Sequence, residues 1–453
     1  MWQRRSRSTR AAASVPAVTE GALRVAFVTL GCKVNQTESE SIAAELMTAP
    51  GGCAPEDAEV VVVNTCTVTG EADHKARKAV RHAHALPQRP IVVVTGCLAA
   101  LEADALRALG DRVVVEADKD AVAARVRERI GAAVPPAPGP LDDLARSAAH
   151  DVPAPDPEIT IRPARTRAQL KVEDGCDAFC TYCIVPYARG VPRAVPADRV
   201  VAEAERLAVA GTAEIVLTGI NIGRYDDDGL RLPDLIERVA SVGVPRIRLS
   251  SIEPGDVDDV LLAAAARTPA FCAHLHVPLQ SGSDGVLARM GRPYDTACYA
   301  AAIARAREAL PGLAVTTDII VGFPGETDAE FAETLAFAEE TGFSRLHVFR
   351  YSARPGTPAA AMDAQVPPTI RATRSAELRA SGDRLAHAFA STQQRRTVEV
   401  LVERIGDGIA EGITREYVRA RVPATGVRPG ELARAVVERV EPGPVLLGKR
   451  CDG

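Results

Sequence analysis

Gly175-Cys176-Asp177-Ala178-Phe179-Cys180-Thr181-Tyr182-Cys183 places three thiols within eight residues at the spacing C-x3-C-x2-C. A cubic 4Fe–4S cluster has four irons and usually takes four cysteine thiolates. Three thiolates leave one iron open to a substrate or cofactor, so the spacing points to chemistry at that iron. The loop follows the first of six strand-like runs: 169–173, 214–218, 246–251, 273–277, 314–321 and 345–351. Helical runs separate them, at about 198–210, 232–241, 256–267, 295–310 and 327–341. Apolar strands alternating with helices predict a parallel α/β architecture, here a partial (βα)6 barrel. Active sites of such barrels lie at the C-terminal ends of the strands, which is where the cysteine loop falls.

A second α/β pattern precedes it. Strands are expected at Leu23–Leu30, Ala58–Asn64, Ile91–Thr95 and Arg112–Val115, with helices at about 37–48, 71–86 and 99–109. Cys32, Cys66 and Cys97 each fall just past the carboxyl end of one of the first three strands. In a parallel sheet those ends share one edge, where ligands bind. Three cysteines distant in sequence are thus expected to form a second three-thiol site.

Composition sets the class. The chain has 453 residues, 47% hydrophobic and 25% charged, ordinary for globular domains with real cores. No apolar run approaches the ~18 residues of a membrane span. The net charge of −5 gives no global sign of nucleic-acid affinity, which local basic surface would have to supply. Lysine occurs only at 33, 75, 78, 119, 171 and 449, so arginine usage is biased and an isolated arginine says little. Ten cysteines are too sparse for a disulfide scaffold. No secretory signal is visible, and a cytoplasmic setting with reduced thiols is expected. Residues 1–20 read as a disordered tail, with an organelle transit segment as the alternative.

Residues 21–131 therefore form one expected domain and 166–395 a second, joined by a proline-rich linker at 132–165. A helix is expected at 368–394. Beyond it, Thr397–Glu403 and runs near 410–421, 432–440 and 445–449 alternate apolar and polar. Gly and Pro punctuate them, so 396–453 reads as a small β-barrel.

Laid out in this order, the chain resembles the methylthiotransferases of the radical S-adenosylmethionine superfamily over about residues 23–450. The motifs carrying the resemblance are Leu30–Glu40 (LGCKVNQTESE), Phe179–Gly190 (FCTYCIVPYARG), Leu279–Ser283 (LQSGS) and Tyr351–Pro358 (YSARPGTP). Leu30–Glu40 is similar to the subgroup that acts on threonylcarbamoyl-adenosine beside the tRNA anticodon. The match departs at Thr37 and at Asp177-Ala178 and loses no cluster ligand. The resemblance implies two 4Fe–4S clusters, one on Cys176, Cys180 and Cys183 and one on Cys32, Cys66 and Cys97. It implies S-adenosylmethionine as methyl donor and radical source, a TRAM-like C-terminal domain that binds RNA, a tRNA substrate, an unidentified electron donor and an unidentified sulfur donor. The radical would take hydrogen from adenine C2, and sulfur would attach there.

Other candidates follow from position. Tyr182 would lie against the cofactor adenine or be a core aromatic. Thr218, Gly219, Gly322 and Glu326 follow strands and are expected either to contact the cofactor or to do ordinary turn chemistry. Arg415, Tyr417, Arg419 and Arg421 alternate on what reads as one strand face, an expected RNA surface or a solvated edge. His274 and His276, near Cys272, are expected to line the barrel interior or face substrate, with a metal site as the alternative, and Cys53, Cys272, Cys298 and Cys451 lack ligand spacing and read as structural or incidental. The competing functions are thiomethylation of isopentenyl-adenosine tRNA or of a ribosomal-protein aspartate, and a non-catalytic iron–sulfur RNA-binding sensor.

Overall fold

A computed structural model describes residues 23–46, 52–130 and 166–451. The expected tail and linker lie outside the described residues.

The first domain is a four-stranded parallel sheet in the order β1 (Val25–Thr29), β2 (Val60–Thr65), β3 (Ile91–Gly96), β4 (Val113–Val115). Every residue of β2 is buried, which is why VVVVN is continuously apolar rather than alternating. Val61, Val63, Val92 and Val94 pack against Ala76, Val80 and Ala83 on one face. Val60, Val62 and Val93 pack against Ile42, Leu46, Val122 and Val126 on the other. The helix expected at 37–48 starts earlier, as α1 (Lys33–Glu45), because Cys32 already adopts the extended backbone of an N-cap. The helix expected at 99–109 is two, Cys97–Leu101 and Ala103–Arg107, broken at Glu102, whose carboxylate pairs with Arg77.

The second domain has six parallel strands: Arg167–Lys171, Glu214–Thr218, Arg246–Leu249, His274–His276, Ala314–Val321 and Arg345–Arg350. They form two three-stranded sheets joined by bridges Ile247–Phe271 and Ser251–His276. No pairing between the first and last strands closes the barrel among the described residues. Helix α1 of the first domain packs against Arg167–Lys171 on that side, with the Gln169 amide donating to Gln36 Oε1 at 3.1 Å. Ile215, Leu217, Ile247, Leu249, Leu275, Val315, Ile319 and Val348 face the outer helices. Their strand neighbours Gln169, Lys171, Glu214, Arg248, His274, His276, Thr316, Asp318 and His347 therefore line the lumen.

Helix Pro368–Ser391 packs on strand Arg345–Arg350 and leads to a closed five-stranded barrel of Thr397–Gly406, Ile409–Thr414, Arg419–Pro423, Leu432–Glu441 and Val445–Arg450. The run expected at 410–421 is two strands, not one. A turn at residues 415–417, with Tyr417 at φ +65°, separates them. The expected Arg-Tyr-Arg-Arg strand face is therefore corrected. Arg415 donates to the Pro269 and Phe271 carbonyls. Tyr417 stacks on His274 at 4.7 Å and lies under Arg248 and Arg167. These two residues dock the small barrel onto the base of the large one, and only Arg419 and Arg421 remain on the exposed face of a strand.

Candidate functional site

Sheet order places β2 between β1 and β3, so Cys66 stands between Cys32 and Cys97 at one edge. Close approach there requires glycine. Gly31 has φ +103°, and a Cβ on it would lie 2.5 Å from Cys66 Cβ. Gly96 has φ +91°, and its Cβ would lie 2.3 Å from the Thr65 carbonyl. The Gly-Cys pairs after β1 and β3 thus let the outer loops fold in over the central cysteine. Asn35 ties the loops together, donating to the Leu30 and Thr65 carbonyls at 2.9 Å each.

In the second domain the Cys176–Cys183 loop folds back on itself, with Cys183 N–H donating to the Cys180 carbonyl. The N–H of Ala178 donates to Cys176 Sγ at 3.5 Å. Cys66 and Cys183 receive the N–H two residues on, from Val68 and Val185. Burial pushes the Cys66 thiol up to about 11 and the Cys183 thiol up to about 12. Bound iron deprotonates such thiols. All six thiols are free, and among the described residues neither trio gathers its sulfurs within 4.8 Å of one another. Within each trio the thiols lie near enough to act on one another's charge, the proximity that ligands of one cluster need when each thiolate binds a different iron.

The two trios face one interface. Helix Cys97–Leu101 packs on Val185–Arg189, the helix that follows Cys183. Arg189, buried at that contact, donates to Glu38 Oε1 at 2.9 Å, Asp174 Oδ1 at 2.8 Å and Asn35 Oδ1 at 2.7 Å. Lys119 and Lys171 complete the network on Glu38 and Asp174. Burial opposes ionisation of Glu38, yet these three cations hold its carboxyl below its usual range. Arg189 also acts on the Cys97 thiol. On the other flank Arg354 donates to Thr67 Oγ1 and pairs with Asp73, and Ser352 accepts from Gly70 N–H. The segment Tyr351–Pro358 thereby docks on the loop after Cys66. Arg292 donates to Cys180 Sγ at 3.0 Å and pairs with Glu253.

The remaining candidates separate by their contacts. Tyr182 packs edge-on against Phe323 at 6.5 Å, next to the Cys180 and Cys183 thiols. Thr218 is buried at its strand end, its hydroxyl donating to Val216 O, and Gly219 lies against the Glu173 carboxylate. Glu173 accepts from Ile220 and Asn221 N–H at 2.9 and 2.7 Å, and burial raises its carboxyl to about 7. Glu326 accepts from Gly322 N–H and Arg374 at 2.6 Å each, which closes a turn against helix Pro368–Ser391. His276, Asp318 and His347 offer three ligand atoms within 4.8 Å of one another in the lumen. Burial works against it, but hydrogen bonds from both imidazoles hold Asp318 below the usual carboxylate range. Arg189, Arg292, Glu173 and Glu38 were not singled out by sequence. Arg189 and Arg292 were hidden by the arginine bias, and the partners of all four lie on other elements.

Residues 170–338 match the radical SAM superfamily model, and residues 24–116 match the model described as uncharacterized protein family UPF0004. The threonylcarbamoyladenosine tRNA methylthiotransferase MtaB of Bacillus subtilis is 40% identical over 84% of each chain. The Thermotoga maritima protein of that name is 36% identical over 90% of this chain and 92% of its own. The tRNA-2-methylthio-N(6)-dimethylallyladenosine synthase of Erythrobacter litoralis is 35% identical over 92% of this chain and 94% of its own. Among solved structures, the radical S-adenosylmethionine methyltransferase TsrM of Kitasatospora setae, with cobalamin and a 4Fe–4S cluster bound, aligns with a TM-score of 0.52. At 14% identity over 75% of this chain and 77% of that one, the alignment shows a shared fold.

Proposed function

This chain belongs to the tRNA methylthiotransferase family of radical S-adenosylmethionine enzymes, and on that premise we propose that it installs a methylthio group at C2 of threonylcarbamoyl-adenosine beside the tRNA anticodon. Identity is higher to the Bacillus subtilis threonylcarbamoyladenosine enzyme, at 40%, than to the Erythrobacter litoralis dimethylallyladenosine enzyme, at 35%. The observation that carries the reaction is the pair of three-cysteine sets facing one domain interface, with helix Cys97–Leu101 packed on Val185–Arg189. One set alone would serve radical generation; the second adds a place for sulfur.

When bound, two 4Fe–4S clusters and S-adenosylmethionine supply a carbon-centred radical, a methyl group and sulfur. Cys176, Cys180 and Cys183 would hold the radical-generating cluster, and Cys32, Cys66 and Cys97 the sulfur-presenting one. Tyr182 would pack beside the cofactor, with Thr218 and Gly219 at the strand end next to it. Gly322 and Glu326 would shape the cofactor loop through the Arg374 contact. Arg189 and Arg292 would offset thiolate charge at the two sets. A reducing electron donor and a sulfur donor are required partners. Among the described residues no helix is long and apolar enough to cross a membrane, and the proposed place of action is the cytoplasm, with tRNA.

The test is Cys32→Ala beside Cys176→Ala, assayed anaerobically with modified tRNA. Cys32→Ala should abolish methylthio product yet release 5′-deoxyadenosine, whereas Cys176→Ala should lose both. Loss of both in Cys32→Ala overturns this division of labour.

A further inference from the structure

The barrel lumen is strongly charged, and nearly every charge in it is matched. Arg248 pairs with Glu214 at 2.8 Å and donates to the Arg415 carbonyl. Arg246 pairs with Glu399, and Arg167 with Glu403 at 2.9 Å. Lys171 pairs with Asp174, while His276 and His347 both pair with Asp318. Lys33 differs: among the described residues no carboxylate lies within ion-pair distance of its ammonium, and although the residue reaches solvent, the protein packed around the ammonium desolvates it.

Its direction is set by α1. Lys33 is the first residue of that helix, and Gln36, three positions on and thus on the same face, meets Gln169 inside the lumen at 3.1 Å. The groups whose charge reaches Lys33 are Tyr417, Arg167, Arg248 and Glu214, all at the lumen. Lys33 therefore stands in the open side of the barrel, one residue from Cys32. Its neighbours Arg167 and Arg248 already have carboxylate partners in Glu403 and Glu214, so Lys33 is the cation at this place that an incoming anion can still meet.

We propose that Lys33 reads the free carboxylate of the threonylcarbamoyl group and is the residue that selects this adenosine over one with an apolar N6 substituent. The inference rests on the function proposed above. C2 and N6 flank N1 on one edge of adenine, so the edge that turns C2 toward the Cys32 set also turns the N6 substituent toward the next residue. A charge-assisted contact forms with a threonyl carboxylate. A dimethylallyl group would leave the ammonium desolvated and unpaired, and so would be rejected.

The test compares kcat/KM on two anticodon stem-loop RNAs, one with threonylcarbamoyl-adenosine and one with its methyl ester. The wild-type protein should prefer the acid by at least about tenfold, the scale of a hydrogen bond to a charged group. Lys33→Met should bring the ratio near unity, and Lys33→Arg should keep it. Iron and sulfide content checks that the adjacent Cys32 set is still loaded. If Lys33→Met turns over neither RNA, the ratio of their Kd values gives the same answer. A Lys33→Met ratio equal to wild type, or a wild type indifferent to the ester, overturns the proposal and leaves the function standing. A wild-type protein that modifies neither RNA overturns the function instead.

Discussion

Arg189→Met tests whether the two cysteine sets are held together by the buried ion network. The Arg189 side chain is 2% exposed, and its carboxylate partners Glu38 and Asp174 are 4% and 13% exposed. Removing one member of a buried pair costs about 3–5 kcal/mol, because the remaining charge is left uncompensated. Here Lys119 still reaches Glu38 at 2.5 Å and Lys171 still reaches Asp174 at 2.7 Å. The cost therefore belongs at the lower end, about 3 kcal/mol. A chain of several domains has no single unfolding free energy, so the loss is read locally. Hydrogen exchange of α1 and of Val185–Arg189 in the reconstituted protein should quicken by about two orders of magnitude. Arg189→Met with Glu38→Gln should cost less than the sum of the two single changes, since the residues are in contact. Exchange within about threefold of wild type, or strict additivity, would refute the network as the clamp.

Glu173 gives a pH signature: burial holds its carboxyl at about 7. An unfolded glutamate ionises near about 4.3, so wild-type stability is full below that and declines as pH rises through about 7. Melting curves should show Glu173→Gln gaining on wild type from about pH 5 to about pH 8; a constant or narrowing gap contradicts the assignment. Gly96→Ala would place a Cβ 2.3 Å from the Thr65 carbonyl at φ +91°. Iron per chain should fall from about eight to about four as the N-terminal set fails to load, and eight retained irons would show that the loop has room.

Much of this architecture was legible because its cause is local. A continuous run such as VVVVN belongs to a strand covered on both faces, and β2 is buried throughout. The cysteine after each strand marks the sheet edge, and Gly31 and Gly96 mark where loops must close over Cys66. The failures have the opposite character. Arg415 and Tyr417 alternate as a strand would, but a turn carries Tyr417 onto His274, more than a hundred residues away in sequence. Arg292 is bonded to Cys180 and Arg189 to Glu38, and nothing in the neighbouring residues announces either partner.

The polar lumen explains both the success and the failure. Inward positions of closed (βα)8 barrels are filled by bulky branched side chains. Here the runs RIRLSS, AHLHV and AVTTDIIV interleave Arg, His, Thr and Asp with the apolar residues that meet the helices. The apolar half of each run was enough to identify a strand. The polar half required a fold in which buried charges find partners, because an unpaired buried charge costs several kcal/mol. Glu214 on Arg248 and Asp318 on His276 and His347 meet that requirement within the chain. Lys33 does not, and it stands beside Cys32 at the open side of the barrel. In a lumen whose other charges are internally matched, the cation without a carboxylate is where an anionic substrate completes the pairing.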